Sequence, residues 1–327
     1  MTRDEQITGF LHGRPLMILS AIAFAACGVG WGMSGQLPKP EQSVGVFFSL
    51  NAAMASPLLS AVLNVVCVIA CGVILIVLNK LFNFIRAYTF VFVSMFFLLE
   101  MSTPATAAQL SVGSALCLAT VVGMLPMFAS YESNRSQGRI FLTMVILSSA
   151  TLWQWAAVVL IPAFFVGFIQ MRAMHWRAFL AAVLGLVTPV WIVLGLGLAN
   201  PVTDYHPFDI GAAWQSIRSG QIQLLVGWTA ALTLVSIGLS VINLFTIMNF
   251  RLQFRVYNAF FMVVNLLVVI AMILDRKDIS AFLPLLNMCI AVQTAHWLTL
   301  NSHPKRYLLV LILMVLCLIH AGSTLFI

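Results

Sequence analysis

Long apolar runs alternate with short polar segments along the whole chain. Several runs reach the roughly 18–20 residues that cross a bilayer as a helix, and they are continuously apolar. We therefore predict an all-α polytopic membrane protein with about 11 transmembrane helices and one helical domain over residues 1–327. The predicted spans are 15–34, 57–79, 87–101, 110–129, two within 140–171, then 178–199, 224–248, 259–274, 280–300 and 307–327.

Residues 140–171 decide the topology, because they are 32 consecutive residues without a formal charge. A single helix of that length would be about 48 Å long, against a hydrocarbon core of roughly 30 Å. We predict two helices instead, which turn near Trp153-Gln154-Trp155 and return to the side from which they started.

The basic residues support this hairpin and give it an orientation. With a hairpin and a cytoplasmic N-terminus, twelve basic residues lie in inner segments and four in outer ones, whereas a single span gives nine against seven. The positive-inside rule favours the hairpin, with the C-terminus periplasmic and the protein in a bacterial inner membrane. The twelve are Arg3, Arg14, Lys80, Arg86, Arg135, Arg139, Arg172, Arg177, Arg251, Arg255, Lys305 and Arg306; the four are Lys39, Arg218, Arg276 and Lys277.

Composition excludes an ordinary soluble domain. The chain is 62% hydrophobic and 8% charged, with a mean hydropathy of +1.05, whereas soluble domains carry about 25% charged residues. The net charge of +7 is scattered over short loops, so we expect membrane lipids and no nucleic acid as partners. The six cysteines lie in apolar runs without metal-ligand spacing, so we expect no disulfide, no metal and no cofactor.

The predicted outer segments 35–56 and 200–223 are long enough to build a site. Each contains a possible interfacial helix, at residues 45–56 and in the stretch AAWQSIRSGQ. A carboxylate in such a segment can act as a general base, and two carboxylates around an imidazole can bind a divalent metal or transfer protons. Solvated loop charges would give the same pattern. The candidates are Glu41, Asp204, His206 and Asp209.

Glu100 is a further candidate, because ionisable residues at membrane depth are commonly functional. The Ser102-Thr103-Pro104 sequence follows it at once, so we expect the carboxylate to reach the outer interface.

At the inner leaflet, the cluster of Arg172, His175 and Arg177 can hold anionic lipid headgroups or a pyrophosphate. The basic end of a transmembrane span without any binding role would give the same pattern of residues. Isolated polar residues within the spans are expected to form hydrogen bonds between helices. They are Asn64, Asn243, Asn265, Asn287, Gln293, His296 and His320.

Several short motifs resemble those of a known group of membrane proteins. S-S-A-T-L-W ends at Trp153, M-R-A-M-H-W-R-A-F covers residues 171–179, and F-L-P-L-L-N covers residues 282–287. With Arg86, Pro162 and Pro189, they resemble an uncharacterised family of multi-span inner-membrane proteins from Bacteroidota, over most of the chain.

The order of a first span, an outer segment with an acidic residue and many further spans is similar to polytopic glycosyltransferases of the GT-C type. That resemblance implies a polyprenyl-linked sugar substrate and Glu41 as the residue that activates the acceptor. Two features differ: Glu41 has no acidic neighbour, and the chain has no large outer domain.

These patterns lead to two principal hypotheses of function, and they leave open whether the protein is an enzyme. The first is a scaffold or assembly partner in a cell-envelope complex. The alternative is a GT-C-like enzyme acting on lipid-linked sugars at the outer leaflet. A transporter ranks third, since the spans lack relays of charged residues and paired broken helices.

Overall fold

The structure of the protein is a computed structural model, and all of its secondary-structure elements are helices in the described residues. No strand occurs in the residues that it describes. These are residues 9–34, 46–47, 56–87, 89–200, 202–205, 220–248, 251–276, 279–300 and 304–324.

Within those ranges, eleven helices are longer than two turns, and each coincides with one predicted span. A single turn, Pro104–Ala107, follows the third helix, and a 3-10 helix, Trp155–Val159, follows the fifth. The helices are α1 Arg14–Ser34, α2 Pro57–Phe82, α3 Val91–Met101, α4 Val112–Phe128, α5 Gln137–Trp153, α6 Leu160–Gln170, α7 Trp176–Gly195, α8 Gly220–Ile247, α9 Leu252–Leu274, α10 Ile279–Leu300 and α11 Pro304–Ser323.

The chain is a multi-pass membrane protein. In the described part, seven helices are long and apolar enough to cross a bilayer, namely α1, α2, α7, α8, α9, α10 and α11. Helices α3 and α6 have 11 residues each, about 16 Å of helix. The count of eleven crossings therefore stays a prediction.

Local sequence explains where several helices begin and end. At the start of α2, the Ser56 side chain accepts a hydrogen bond from the backbone N–H of Leu59, and Pro57 occupies the first turn. Ser111 caps α4 in the same way, by accepting from the N–H of Ser114. Asn83 ends α2 in the left-handed conformation (φ 49°), which asparagine tolerates well.

The hairpin predicted for residues 140–171 is confirmed. Helix α5 ends at Trp153, Gln154 has extended backbone, and α6 leads back. The two ends of the hairpin meet, since the N–H of Glu132 donates to the carbonyl of Met171 (2.9 Å) and the Ser136 hydroxyl donates to the carbonyl of Ala173 (3.0 Å).

Further contacts gather the other basic segments at this same end of the bundle. The Asn258 side chain donates to the carbonyl of Phe84, and the Thr299 hydroxyl donates to the carbonyl of Ile85. Tyr257 reaches the carbonyl of Phe128. The predicted grouping of basic residues is thus present in the described part, while a cytoplasmic location for this end stays a prediction.

Helices α3 and α10 form the centre of the molecule. All residues of α3 and residues 281–296 of α10 are buried. Helix α10 packs against α3, α4, α8 and α9. Whatever polar groups these two helices carry therefore lie among other helices.

Candidate functional site

Glu100 lies where α3 and α10 contact each other near one end of the bundle. Its side chain is 2% exposed, and its Oε1 accepts a hydrogen bond of 2.9 Å from Nδ2 of Asn287 on α10. The expectation that this carboxylate extends to the outer interface is therefore wrong. Glu100 belongs to the protein core, and the structure brings it together with Asn287.

The physical reason is the path of the chain after Glu100. Residues 102–111 do not leave the bundle but fold over α1 and α2 as a largely buried irregular segment. Asn64 on α2 donates to the carbonyls of Thr106 (3.2 Å) and Ala107 (2.9 Å), and it accepts from the Ser114 hydroxyl (2.5 Å). The buried backbone is thus stabilised by side-chain partners, as membrane-depth loops require.

Two glycines of α1 let this segment approach closely. A Cβ atom at Gly28 would lie 3.1 Å from the carbonyl oxygen of Ala107. At Gly32 it would lie 2.7 Å from the carbonyl oxygen of Ala108 and 2.5 Å from the Cβ of Ala61. Two glycines on one face of α1 therefore allow segment 102–111 to pack closely against this helix.

Ser102, two residues after Glu100, joins α3 to α8 and α11. The indole N–H of Trp228 donates to the Ser102 hydroxyl (3.0 Å), and Nδ1 of His320 lies 2.6 Å from the Ser102 carbonyl oxygen. The Trp228 and His320 rings stack at 4.3 Å. The expected interhelical role of His320 is thus confirmed.

The thiol of Cys117 lies near Glu100 and near two further thiols. The side chains of Cys71 and Cys117 contact each other, and Glu100 and Cys289 are close enough to Cys117 to interact electrostatically. All six cysteines are free. Among the described residues, no three histidine, cysteine or acidic side chains are placed to hold a metal ion. The chemistry available here is that of a carboxyl group, an amide and thiols.

Among the described residues, no basic side chain forms an ion pair with Glu100. Arg172 and Glu132 form an ion pair at the other end of the bundle (3.5 Å, both side chains about half exposed or more). An ionised carboxylate without a counter-charge is costly in an apolar interior. Glu100 therefore needs a proton or a bound cation to balance its charge.

The other polar residues of the spans divide into paired and unpaired groups. The predicted interhelical hydrogen bonds are confirmed for Asn64, Asn243, Asn265, Asn287 and Gln293. For His296 the prediction is wrong, since neither ring nitrogen has a hydrogen-bond partner although the residue is buried. The hydroxyl of Thr294 on the same helix is also unpaired.

The two predicted outer segments meet at the turn of the hairpin. The N–H of Phe47 donates to the carbonyl of Leu152 (3.2 Å). The ring of Tyr205 lies 6.4 Å from that of Phe47 and 6.5 Å from that of Trp155. An aromatic cluster thus joins segments that are far apart in sequence.

The acidic candidates of these segments are described only in part. Asp204 accepts from the backbone N–H of Asn200 and from the Thr203 hydroxyl, both at 2.9 Å, so it stabilises its own turn. Glu41, His206 and Asp209 lie outside the described residues. Of the predicted interfacial helices, only residues 46–47, 56 and 220–221 are described.

The cationic cluster is largely engaged in protein contacts. Arg172 pairs with Glu132. The ring of His175 has Nδ1 3.0 Å from the carbonyl oxygen of Ala173 and Nε2 3.0 Å from the side-chain nitrogen of Gln137. Arg177 is exposed in the first turn of α7. Binding of lipid headgroups by these residues stays a prediction.

Comparison with protein-family models, with curated proteins and with solved structures gives no match for this chain.

Proposed function

We propose that this multi-pass membrane protein is a carrier that moves a small solute and uses Glu100 as its protonation site. The observation that carries the proposal is the enclosure of this carboxyl group between the two central helices, with Asn287 as its hydrogen-bond partner. An ionisable group held among membrane helices without a cation is a natural proton-binding site.

Protonation of Glu100 would change the contact between α3 and α10. A neutral carboxyl group can both donate and accept hydrogen bonds, whereas a carboxylate only accepts. Helix α10 also packs against α4, α8 and α9, so a changed α3–α10 contact would alter the packing of these helices as well. In the proposed carrier, proton binding would thereby favour one of two arrangements of the helices, as coupled transport requires.

The chain path near Glu100 also supports a carrier. Helix α3 has only 11 residues and continues into the buried irregular segment 102–111. Non-helical backbone at membrane depth occurs where it is enclosed by protein, and interrupted helices of this kind commonly form the binding sites of transporters.

Proton-driven uptake tests the proposal directly. Wild type, E100Q and the control E132Q are reconstituted in proteoliposomes with an entrapped pH indicator, and a pool of sugars, amino acids and small amides is added under a pH gradient. We expect solute-dependent proton movement in wild type and E132Q, and its loss in E100Q. Equal proton movement in E100Q and wild type, or no proton movement in wild type, contradicts the proposal.

A second candidate is the GT-C-like enzyme acting on polyprenyl-linked sugars at the outer face of a bacterial inner membrane. The contact of Phe47 and Tyr205 supports it, because this contact brings the two outer segments together. Single alanine substitutions of Glu41, Asp204 and Asp209 should then abolish sugar transfer. The E100Q substitution distinguishes the two candidates, since it should leave such an enzyme active.

The scaffold hypothesis makes a third prediction. A scaffold in an envelope complex should copurify with a stable partner from native membranes, and all four of these substitutions should leave that association intact.

A further inference from the structure

A second polar network lies on another side of α10, between α8, α9 and α10. On α8, Ser236, Ser240 and Asn243 follow each other at helical spacing and share one face. Ser236 donates to Oδ1 of Asn265 on α9, and Nδ2 of Asn265 donates to the Ser240 hydroxyl, both at 2.9 Å. The face of α8 is thus fixed to α9.

The same face is fixed to Gln293 on α10. The Ser240 hydroxyl donates to Oε1 of Gln293 (2.9 Å), and Nδ2 of Asn243 donates to the backbone carbonyl of Gln293 (3.0 Å). Asn243 and Gln293 are therefore direct neighbours across the α8–α10 contact.

Each of these two amides keeps one polar atom without a partner. Nε2 of Gln293, a donor, and Oδ1 of Asn243, an acceptor, are buried and make no hydrogen bond. The residues are 3% and 1% exposed. A buried unpaired polar atom costs about 1–3 kcal/mol, so a donor and an acceptor on neighbouring residues point to a ligand that pairs with both.

We propose that Asn243 and Gln293 bind a small neutral molecule that presents both a hydrogen-bond donor and an acceptor, such as a hydroxyl or amide group. The network consists of serine, asparagine and glutamine side chains, none of which would balance the charge of an ion. A neutral polar solute satisfies both free atoms without bringing a charge into the core.

The position of the proposed solute site on α10 is suited to the carrier function. Gln293 lies six residues along α10 from Asn287, about 9 Å of helix, so one helix bears both the solute site and the partner of Glu100. This assignment of the substrate class rests on the carrier function proposed above, whereas the binding itself is independent of it.

Thermal unfolding of the purified protein tests the binding. Acetamide and glycerol are the neutral probes, and sodium acetate and tetramethylammonium chloride are the charged ones. We expect the neutral probes to raise the unfolding temperature of wild type. In Q293M and N243L, about tenfold more probe should be needed for the same rise, because one hydrogen bond to the ligand is lost.

The control is Q253M, the same change at an exposed glutamine at the start of α9. It should respond to the probes as wild type does. Q293M removes the unpaired donor together with the oxygen that accepts from the Ser240 hydroxyl. N243L leaves that acceptor in place and tests the site from the opposite helix. Equal responses of wild type and both variants, or equal stabilisation by the charged probes, would overturn the proposal.

The transport assay separates this inference from the carrier function. If E100Q abolishes proton movement while Q293M and N243L bind the probes as wild type does, the solute site is wrong and the carrier function stands. If the probes bind through Gln293 and Asn243 without any proton movement in wild type, the carrier function is wrong and the solute site stands.

Discussion

Nδ2 of Asn287 donates a hydrogen bond of 2.9 Å to Oε1 of Glu100, and both residues are almost completely buried. The two residues are 187 positions apart in sequence. This bond joins α3 and α10, the two most enclosed helices, near one end of the bundle. It gives the carboxyl group a polar partner without neutralising its charge.

Removal of the amide should therefore destabilise the protein. We expect N287L to lower the free energy of unfolding by about 1–3 kcal/mol, since Glu100 loses its donor and remains buried. Unfolding in mixed detergent micelles measures this. In the double variant E100L/N287L the cost of the Asn287 substitution should be smaller, because no carboxyl group is left unpaired. An equal cost in both backgrounds would show that the two side chains do not interact energetically.

Much of the helix arrangement follows from the sequence, and the hairpin shows why. Residues 140–171 are too long for one crossing and carry no charge, and only a hairpin keeps the basic residues together. Length and charge are properties of the sequence itself. The turn at Trp153 and Gln154 could therefore be located before any contact was known.

The position of Glu100 could not be predicted in this way. A polar stretch after an apolar helix is compatible with a loop in water and with a segment folded over neighbouring helices. The difference depends on Gly28 and Gly32, whose close contacts become apparent only when Ala107 and Ala108 lie opposite them. Such a pairing is a property of the packed structure.

The glycine contact is open to a matched test on one helix. In G32A, the new methyl group would lie 2.5 Å from the Cβ of Ala61, so we expect the free energy of unfolding to fall by about 1–3 kcal/mol. Gly30 has nothing within 4 Å of an added Cβ. G30A should be neutral or stabilising by up to about 1 kcal/mol, because alanine favours the helix. Equal effects of the two changes would contradict a specific contact at Gly32.

The orientation of the hairpin is testable by labelling. Single cysteines replace Arg135, Arg177 and Tyr205, which are exposed, in a protein without its own six cysteines. A membrane-impermeant maleimide should label positions 135 and 177 from the cytoplasmic side and position 205 from the opposite side. Labelling of 177 and 205 from the same side would refute the topology.

A pH-dependent contribution to stability is expected from His12, which lies just before α1. Its Nδ1 is 2.7 Å from the Thr89 hydroxyl, and its Nε2 is 3.3 Å from the Tyr307 hydroxyl. Burial lowers the pKa of His12 from its ordinary value of 6.5, so the unfolded chain binds the proton more readily than the folded protein. Its contribution to stability is therefore complete above about pH 6.5 and is lost as the pH falls below that value.

We expect the unfolding temperature of wild type to fall between about pH 8 and about pH 5, and the fall to be smaller in H12Q, whose side chain does not titrate in this range. At pH 8 the same variant reports the loss of the hydrogen bonds alone, which separates structural from titration effects. If wild type and H12Q lose stability in parallel as the pH is lowered, the ring of His12 does not contribute to the pH dependence. In that case its bonds to Thr89 and Tyr307 would form equally well in both protonation states.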